Sequence, residues 1–455
     1  MTARVIQDEK EYPFVKVVIV GNGIAGNEVA SYLREHGPQA DDIDITILSA
    51  ERFPEYDPCS LPYFVGGEVD RDAVFRKAPD YYQNSRINLV LDNKAVSIDP
   101  QARKVRTEKG DVFGYDSLVL AHGGSLFIPP IPGIDLDGVF SCKVLAEADR
   151  LAGHRGNRAV VIGSGAIGIE AAEALKLKGY QVAIIELLDW IMPTLFCEGA
   201  SRFLADEMRG YGIEVYTSEK VLAIQGLSSV ESVKTDKREL PCDTVVVATG
   251  VVPGRPLAET AGIVCERGIL VNDRMLTSAA NIYACGDCVQ TFDAVSGESC
   301  MYQLKHNAIE QARITARNIL GEEARYQGAY PFARAHYFDT HAVTFGKTLK
   351  GLERTCRQDQ VGVIERNTED GYLRLLLKDG KIVGGQAIGK FADHAGLFMG
   401  FMWRGVDMDE LKKNWRKIAE LESVFPWQYR KVGQVLGFSA LDAPDGMEMA
   451  RRTRR

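Results

Sequence analysis

The sequence predicts an α/β fold in which two strand, glycine-turn, helix units are followed by a mixed α+β segment. The first observation is the run Val17 to Val20, read as a buried strand. It turns at Gly21-Asn-Gly23-Ile24-Ala25-Gly26 into a helical pattern from Asn27 to His36, which Gly37 stops. The second is the return of the same grammar at Ala159 to Ile162, Gly163-Ser-Gly165-Ala-Ile167-Gly168 and a helix through Leu177 that ends at Gly179. The third is a change of period after Gly321. There Val343, Val361 to Ile364 and Leu373 to Leu377 read as antiparallel strands, with Asp379-Gly380 as a hairpin turn and Gly384-Gly385 as a second break. Helical periods return near Asp407 to Leu421.

Each of the first two units has the form that opens a Rossmann domain. Spaced glycines let the backbone approach a pyrophosphate, which then sits at the positive end of the helix. One such turn is a weak signal; two, each followed by an acid near the end of the next strand, are specific. A carboxylate there accepts hydrogen bonds from an adenosine ribose. In the first unit the strand is Ile43 to Leu48 and the candidate acid Glu51, with Ser49 and Ala50 between them. In the second, Val182 to Ile185 leads straight to Glu186. The residues after it, Leu187, Leu188 and Asp189, include no base to receive a 2'-phosphate, which favours NAD(H) over NADP(H).

Two further segments continue the pattern. Val245-Val-Val-Ala-Thr-Gly250, followed by Pro253, is a strand entering a tight turn, mirrored by Leu118-Val-Leu-Ala-His122-Gly123. Ile282-Tyr-Ala-Cys-Gly286-Asp287 is a short strand ending in a Gly-Asp pair, before a helical stretch from about Gln303 to Leu320.

Composition narrows the function classes. At 45% hydrophobic and 25% charged, 455 residues suit about three folded units and exclude collagen-like or disordered chains. The formal charge of -8, with no long basic stripe, leaves little to neutralise a nucleic-acid backbone, so no nucleic-acid partner is expected. Only the tail Arg451, Arg452, Arg454 and Arg455 is densely basic, either a solvated end or a docking segment. The first twenty residues, with Asp8, Glu9, Lys10 and Glu11, do not read as a secretory signal, and no apolar stretch reaches membrane-spanning length. Nine scattered cysteines argue against a disulfide scaffold and for the reducing cytoplasm.

Taken together, the two glycine turns, Ala248-Thr-Gly250 and Gly286-Asp287, in that order, resemble the two-dinucleotide flavoproteins, the pyridine nucleotide-disulfide oxidoreductases. The resemblance covers nearly the whole chain. It implies FAD on the first glycine turn, with Asp287 bonded to its ribitol chain, and a nicotinamide nucleotide on the second. It implies a discontinuous FAD domain, residues 1–124 and 251–325, an NAD(H) domain, 125–250, and a C-terminal α+β interface domain, 326–455, that forms a homodimer. Gly123 and Gly250 then belong to the cofactor-binding turns. Glu170 falls where the family carries an acid close to the flavin and nicotinamide rings; an ordinary first-turn helix acid is the other reading.

Within that family, Tyr56-Asp-Pro-Cys59-Ser-Leu-Pro-Tyr63 resembles the single-cysteine branch, which includes coenzyme A disulfide reductases, NADH oxidases and peroxidases, and persulfide reductases. The two-cysteine branch has a second cysteine five positions later, where this chain has Phe64. Cys59 is therefore expected to alternate between a thiolate beside the flavin and a mixed disulfide, persulfide or sulfenic acid, the alternative being a buried inert cysteine. Such a thiolate needs stabilisation by its site, and a helix starting near Cys59 is one source. Cys285 and Cys288 flank the Gly-Asp pair and read as structural, with no spacing that suggests a metal. His122 stands where the family has threonine and reads as packed. Ile24 and Ala25 replace the histidine of NADH peroxidases. His306 and Tyr429 are candidates for acceptor contacts by rough location only, the favoured alternative for each being an ordinary packed residue. Three functions remain: reduction of a small disulfide or persulfide at Cys59, electron transfer as a subunit beside an iron-sulfur or metal protein, and NADH oxidation by oxygen.

Overall fold

The computed structural model describes residues 15–37, 42–348, 352 and 361–413. Contacts group the chain into two compact units. One comprises the chain up to Gly163 with Glu170–Val182 and Val221–Tyr330; the other comprises Ser164–Ile169, Ala183–Lys220 and the chain from Pro331 onward.

In the first unit Val15–Val20, Ile43–Leu48, Ile87–Val90, Ser117–Leu120 and Ile282–Ala284 form one sheet, in the spatial order fifth, fourth, first, second, third. Every neighbouring pair is parallel. Val17, Ile19, Ile45 and Ile47 are buried in one cluster, and Val18, Val20, Leu118, Leu120 and Ile282 in another. Burial on both faces is why these strands read as unbroken apolar runs. The chain leaves its first strand toward one edge and later fills the other side. The crevice this creates lies beyond the carboxyl ends of Val15–Val20 and Ser117–Leu120.

The turn residues fill that place tightly. Gly21 has φ +116°, and a Cβ on it would lie 2.3 Å from the Ala121 carbonyl oxygen. A Cβ on Gly26 would lie 2.0 Å from the Gly21 carbonyl oxygen. The helix runs Ile24–His36, three residues earlier than the apolar period indicates, because Ile24, Ala25 and Gly26 of the turn are themselves its first turn.

The same unit holds a second parallel set, Val139–Phe140, Thr244–Val247 and Arg158–Ile162, with Thr244–Val247 in the middle. Here Gly163, at φ +100°, would place a Cβ 2.4 Å from the Ala248 carbonyl oxygen. Gly163 thus repeats toward Ala248 the approach Gly21 makes to Ala121. An antiparallel pair, Gly124–Leu126 with Val251–Pro253, joins the turns that carry Gly123 and Gly250.

In the second unit Phe332–Tyr337, Thr340–Gly346, Val361–Thr368, Gly371–Lys378 and Lys381–Gly389 form an antiparallel sheet. Phe345, Leu373, Leu375 and Ala387 pack with Phe398 of the helix Ala395–Trp403. Asp379 and Gly380, at φ +51° and +73°, make the expected hairpin turn. Gly384-Gly385 is not the expected break; both lie inside Lys381–Gly389. A Cβ on Gly385 would come within 2.5 Å of the Phe345 ring, and one on Gly384 within 2.0 Å of the Lys347 carbonyl oxygen. These glycines admit close neighbours rather than end the strand. The helical pattern near Asp407 is present at 408–413. Its continuation to Leu421, together with Cys356, Tyr429 and the arginine tail, lies outside the described residues. Among the described residues no helix is long and apolar enough to cross a membrane.

Candidate active site

Three turns of the first unit converge on the carboxyl edge of its parallel sheet: Gly21 to Gly26, Ala121 to Gly123, and Gly286-Asp287. The helix Ile24–His36 has no side-chain cap and no acid in its first turn. Its N-terminal N–H groups suit an anion. A Cβ on Gly23 would meet nothing within 4 Å, so open space lies over the turn. Asp287 has no hydrogen bond to its carboxylate among the described residues, and burial raises its pKa while Lys143 opposes the rise. An uncapped helix end, a clear glycine and an unengaged acid fit a bound dinucleotide.

Glu51 is placed differently from a strand-end acid. Its carboxylate accepts from the Tyr56 hydroxyl at 2.9 and 3.1 Å. Burial raises its pKa, with Tyr56 and Lys143 pulling the other way. Lys143 thus faces both Glu51 and Asp287, a convergence with no local sequence signal. His122 is packed: Nε2 bonds the Gly254 carbonyl at 2.5 Å, and burial lowers its pKa. His306 Nε2 bonds the Tyr330 carbonyl at 3.0 Å. Cys285 and Cys288 are fully buried free thiols.

Cys59 is the exposed one among the eight described cysteines, all of them free. It lies in the short 3-10 turn Pro58–Ser60, which runs on into the helix Leu61–Gly66. Asp57 caps the turn, accepting the Cys59 backbone N–H at 3.1 Å, with Pro58 at the first position. The other Asp57 oxygen pairs with Lys305, the first residue of the helix Lys305–Ile319, and with Arg76 at 3.3 Å. These cations hold the Asp57 carboxyl below its usual range. The thiol is pushed up to about 11, first by burial, then by Asp57 and Glu170, with Lys305 alone opposing. The helix start does not outweigh these effects: burial first, then the two carboxylates, disfavour the thiolate.

Glu170 lies on the helix Ala166–Leu177, one turn before Ala174. A Cβ on Gly66 would be 3.3 Å from the Ala174 Cα, so the Cys59 helix rests against this one. A cleft lined by Pro62, Tyr63, Glu68, Glu170, Glu173 and Ala174 opens beside the contact. Burial, reinforced by Glu173, raises the Glu170 carboxyl to about 7. The folded chain keeps this proton to about pH 7, whereas a carboxyl at its ordinary 4.5 loses it earlier. The associated stability falls as pH rises through that window. In the second unit Glu186 accepts the Ser164 and Leu188 backbone N–H groups at 3.0 and 2.9 Å. Gly165 has open space where a Cβ would project.

Asp57 was legible in principle, since Asp-Pro opening a helical turn is a capping signature. Lys305 and Arg76 carry no local signal, because they join the loop only through the fold.

The profile of the pyridine nucleotide-disulphide oxidoreductases matches residues 15–312. The chain belongs to this family. It is accordingly an FAD-dependent NAD(P)H oxidoreductase. A solved NAD-dependent persulfide reductase from A. fulgidus superposes with a TM-score of 0.81 at 30% identity, over 88% of this chain and 78% of that one. An NADH oxidase of Methanocaldococcus jannaschii is 29% identical over 453 residues, 94% of this chain and 98% of that protein. The assimilatory nitrate reductase electron transfer subunit of Bacillus subtilis is 31% identical over 81% of this chain. This chain spans only about half of that subunit, 47% of its length.

Proposed function

We propose that this oxidoreductase passes electrons from NADH to a small disulfide, persulfide or polysulfide at Cys59. The observation that carries the reading is the Cys59 loop. One exposed cysteine has its backbone N–H capped by Asp57, which pairs with Lys305, and the helix that follows it rests against the Glu170 helix. The likeness to a persulfide reductase supports it.

The residues divide the work as follows. Gly21, Gly23, Ile24, Ala25 and Gly26 receive the FAD pyrophosphate at the helix end, Gly123 and Gly286 admit its backbone approach, and Glu51 and Asp287 take ribose and ribitol hydroxyls. Gly163, Gly165, Ile167, Gly168 and Gly250 serve the nicotinamide nucleotide. Glu186, with no basic residue directly after it in the sequence, selects NADH by repelling a 2'-phosphate. Residues 1–124 and 251–325 then form the FAD domain, 125–250 the NAD(H) domain and 326–455 the interface domain. Exposed Leu397 and Trp403 on the apolar helix Ala395–Trp403 support its pairing with a second copy. Free thiols suit the cytoplasm.

When bound, FAD would supply two-electron chemistry between NADH and sulfur. Lys305, the one cation that lowers the thiol's pKa, is placed to compensate the thiolate's charge, while Asp57 opposes its formation. The thiolate attacks one acceptor sulfur, forming a mixed disulfide or persulfide and releasing the other sulfur as a thiol or sulfide. Glu170 holds a proton within the same cleft region.

A second reading, an electron-transfer subunit serving an iron-sulfur or metal partner, is favoured by the raised Cys59 pKa and by the likeness to the nitrate reductase subunit. NADH oxidation by the purified flavoprotein, given one acceptor at a time with oxygen admitted only where it is the acceptor, separates the readings. Polysulfide or a small disulfide is expected to support turnover at least about tenfold faster than oxygen or an iron-sulfur protein, a barrier difference of about 1.4 kcal/mol. Turnover with an iron-sulfur protein alone would select the subunit reading, and stoichiometric oxygen uptake the oxidase reading.

A further inference from the structure

Two charged side chains behind the Cys59 loop, Glu55 and Arg76, take no part in the reaction above. Glu55 is 3% exposed. Its Oε1 pairs with Arg76 Nε at 3.2 Å, while its Oε2 is sealed from solvent with no hydrogen-bond partner among the described residues. A charged oxygen in that position is costly, and burial raises the carboxyl to about 7. Lys77 and Arg76 favour the ionised form; Glu28 of the helix Ile24–His36 and Asp57 oppose it. The Tyr82 hydroxyl accepts the Glu55 backbone N–H at 3.2 Å and donates to Asn27 Oδ1 at 2.8 Å. The Arg76 backbone N–H donates to the Glu55 carbonyl at 3.1 Å, fixing the two segments to each other.

Arg76 does not serve Glu55 alone. Its guanidinium also reaches Asp57 Oδ2 at 3.3 Å, and Asp57 Oδ1 holds the Cys59 backbone N–H. A line therefore runs from Glu55 through Arg76 and Asp57 to the Cys59 backbone, and the charge of Asp57 acts on the thiol beside it.

From this geometry we propose that Glu55 is a positioning residue for Cys59, setting through the shared Arg76 guanidinium how much negative charge Asp57 presents to the thiol. When Glu55 carries a proton, Arg76 compensates Asp57 alone and the Cys59 thiolate forms more readily. When Glu55 is ionised, Arg76 is divided between two carboxylates, and Asp57 holds the thiol in its protonated form more firmly. Proton loss at Glu55 thus damps thiol reactivity as pH rises through neutrality. The importance of this control rests on the sulfur reading of Cys59; its existence is a property of the thiol alone.

The test is the rate at which iodoacetamide alkylates Cys59 in reduced, FAD-loaded protein, followed on the Cys59 peptide by mass spectrometry at pH values on both sides of neutrality. The logarithm of the rate should climb with the thiolate fraction and flatten near pH 7 in a step, the line above neutrality lying about two- to fivefold below the extension of the line beneath it, the size expected of a partly exposed charge pair. Glu170 titrates in the same range and also faces the thiol, so the rates are compared in Glu170→Gln protein, where Glu55→Gln removes the remaining titrating group and should abolish the step. Arg76→Gln keeps the group but breaks the bridge, and should abolish it too, which decides the matter if Glu55→Gln does not hold FAD. A step that persists in either flavin-loaded variant, or is absent from the Glu170→Gln protein itself, overturns the proposal. Acceptor reduction that survives Cys59→Ser would overturn the sulfur reading instead, without touching this step.

Discussion

Cys59→Ser is expected to lower polysulfide or disulfide reduction by about 10² or more, an added barrier of at least about 2.7 kcal/mol, while NADH still bleaches the flavin at close to its original rate. The two halves separate because Cys59 contributes to neither glycine turn. Its loop is anchored by Asp57, Lys305 and Arg76, none of which bonds the side chain being changed to an oxygen analogue in any way that requires sulfur for folding. A serine hydroxyl can still donate to Asp57, but it neither ionises near neutral pH nor forms a bond to acceptor sulfur that two electrons would cleave. Stopped-flow bleaching and anaerobic steady-state turnover, measured on one preparation, check the pair of outcomes. Turnover unchanged by the substitution contradicts a sulfur exit.

Gly21→Ala is expected to yield protein with little or no bound FAD and a lower melting temperature. At φ +116° an alanine costs about 1–3 kcal/mol in backbone strain alone. Its Cβ, 2.3 Å from the Ala121 carbonyl oxygen, would also force apart the two strands that flank the crevice. Gly23→Ala provides the contrast. Gly23 has an ordinary φ of -83° and open space where the Cβ would go, so the chain should fold with stability changed by no more than about 0.5 kcal/mol. The added methyl projects into the space over the turn and should weaken FAD retention without unfolding the protein. Flavin absorbance per polypeptide and thermal melts of the apoprotein check both. Full flavin content in Gly21→Ala at an unchanged melting temperature would contradict the assignment of this turn.

The elements nearest the glycine turns were legible because each is determined locally. A strand buried on both faces must be apolar throughout, and a backbone approach as close as that of Gly21 to Ala121, or Gly163 to Ala248, admits only glycine. The same logic misled at Gly384-Gly385, where paired glycines looked like a break. They are strand residues whose missing side chains leave room for Phe345 and Lys347, partners about forty residues earlier in the chain. Glu51 was legible as an acid but not in its setting, because the Tyr56 hydroxyl that engages it depends on how the loop folds back. The surroundings of Cys59 were the least legible. Tyr56-Asp-Pro-Cys59 marks the loop, but the sign of the charge around the thiol depends on Lys305, Arg76 and Glu170, brought in from three distant segments. A helix start near a cysteine suggested a stabilised thiolate; Asp57 and Glu170 oppose that effect in the fold.

The exit of electrons through Cys59 is tested most directly by following sulfur onto that residue. FAD-loaded protein is treated anaerobically with polysulfide, and every cysteine peptide is mapped by mass before and after NADH is added. The Cys59 peptide should gain one sulfur atom, and NADH should remove it with release of sulfide. Sulfur found on other cysteines alone, or sulfur on Cys59 that NADH leaves in place, would contradict the account.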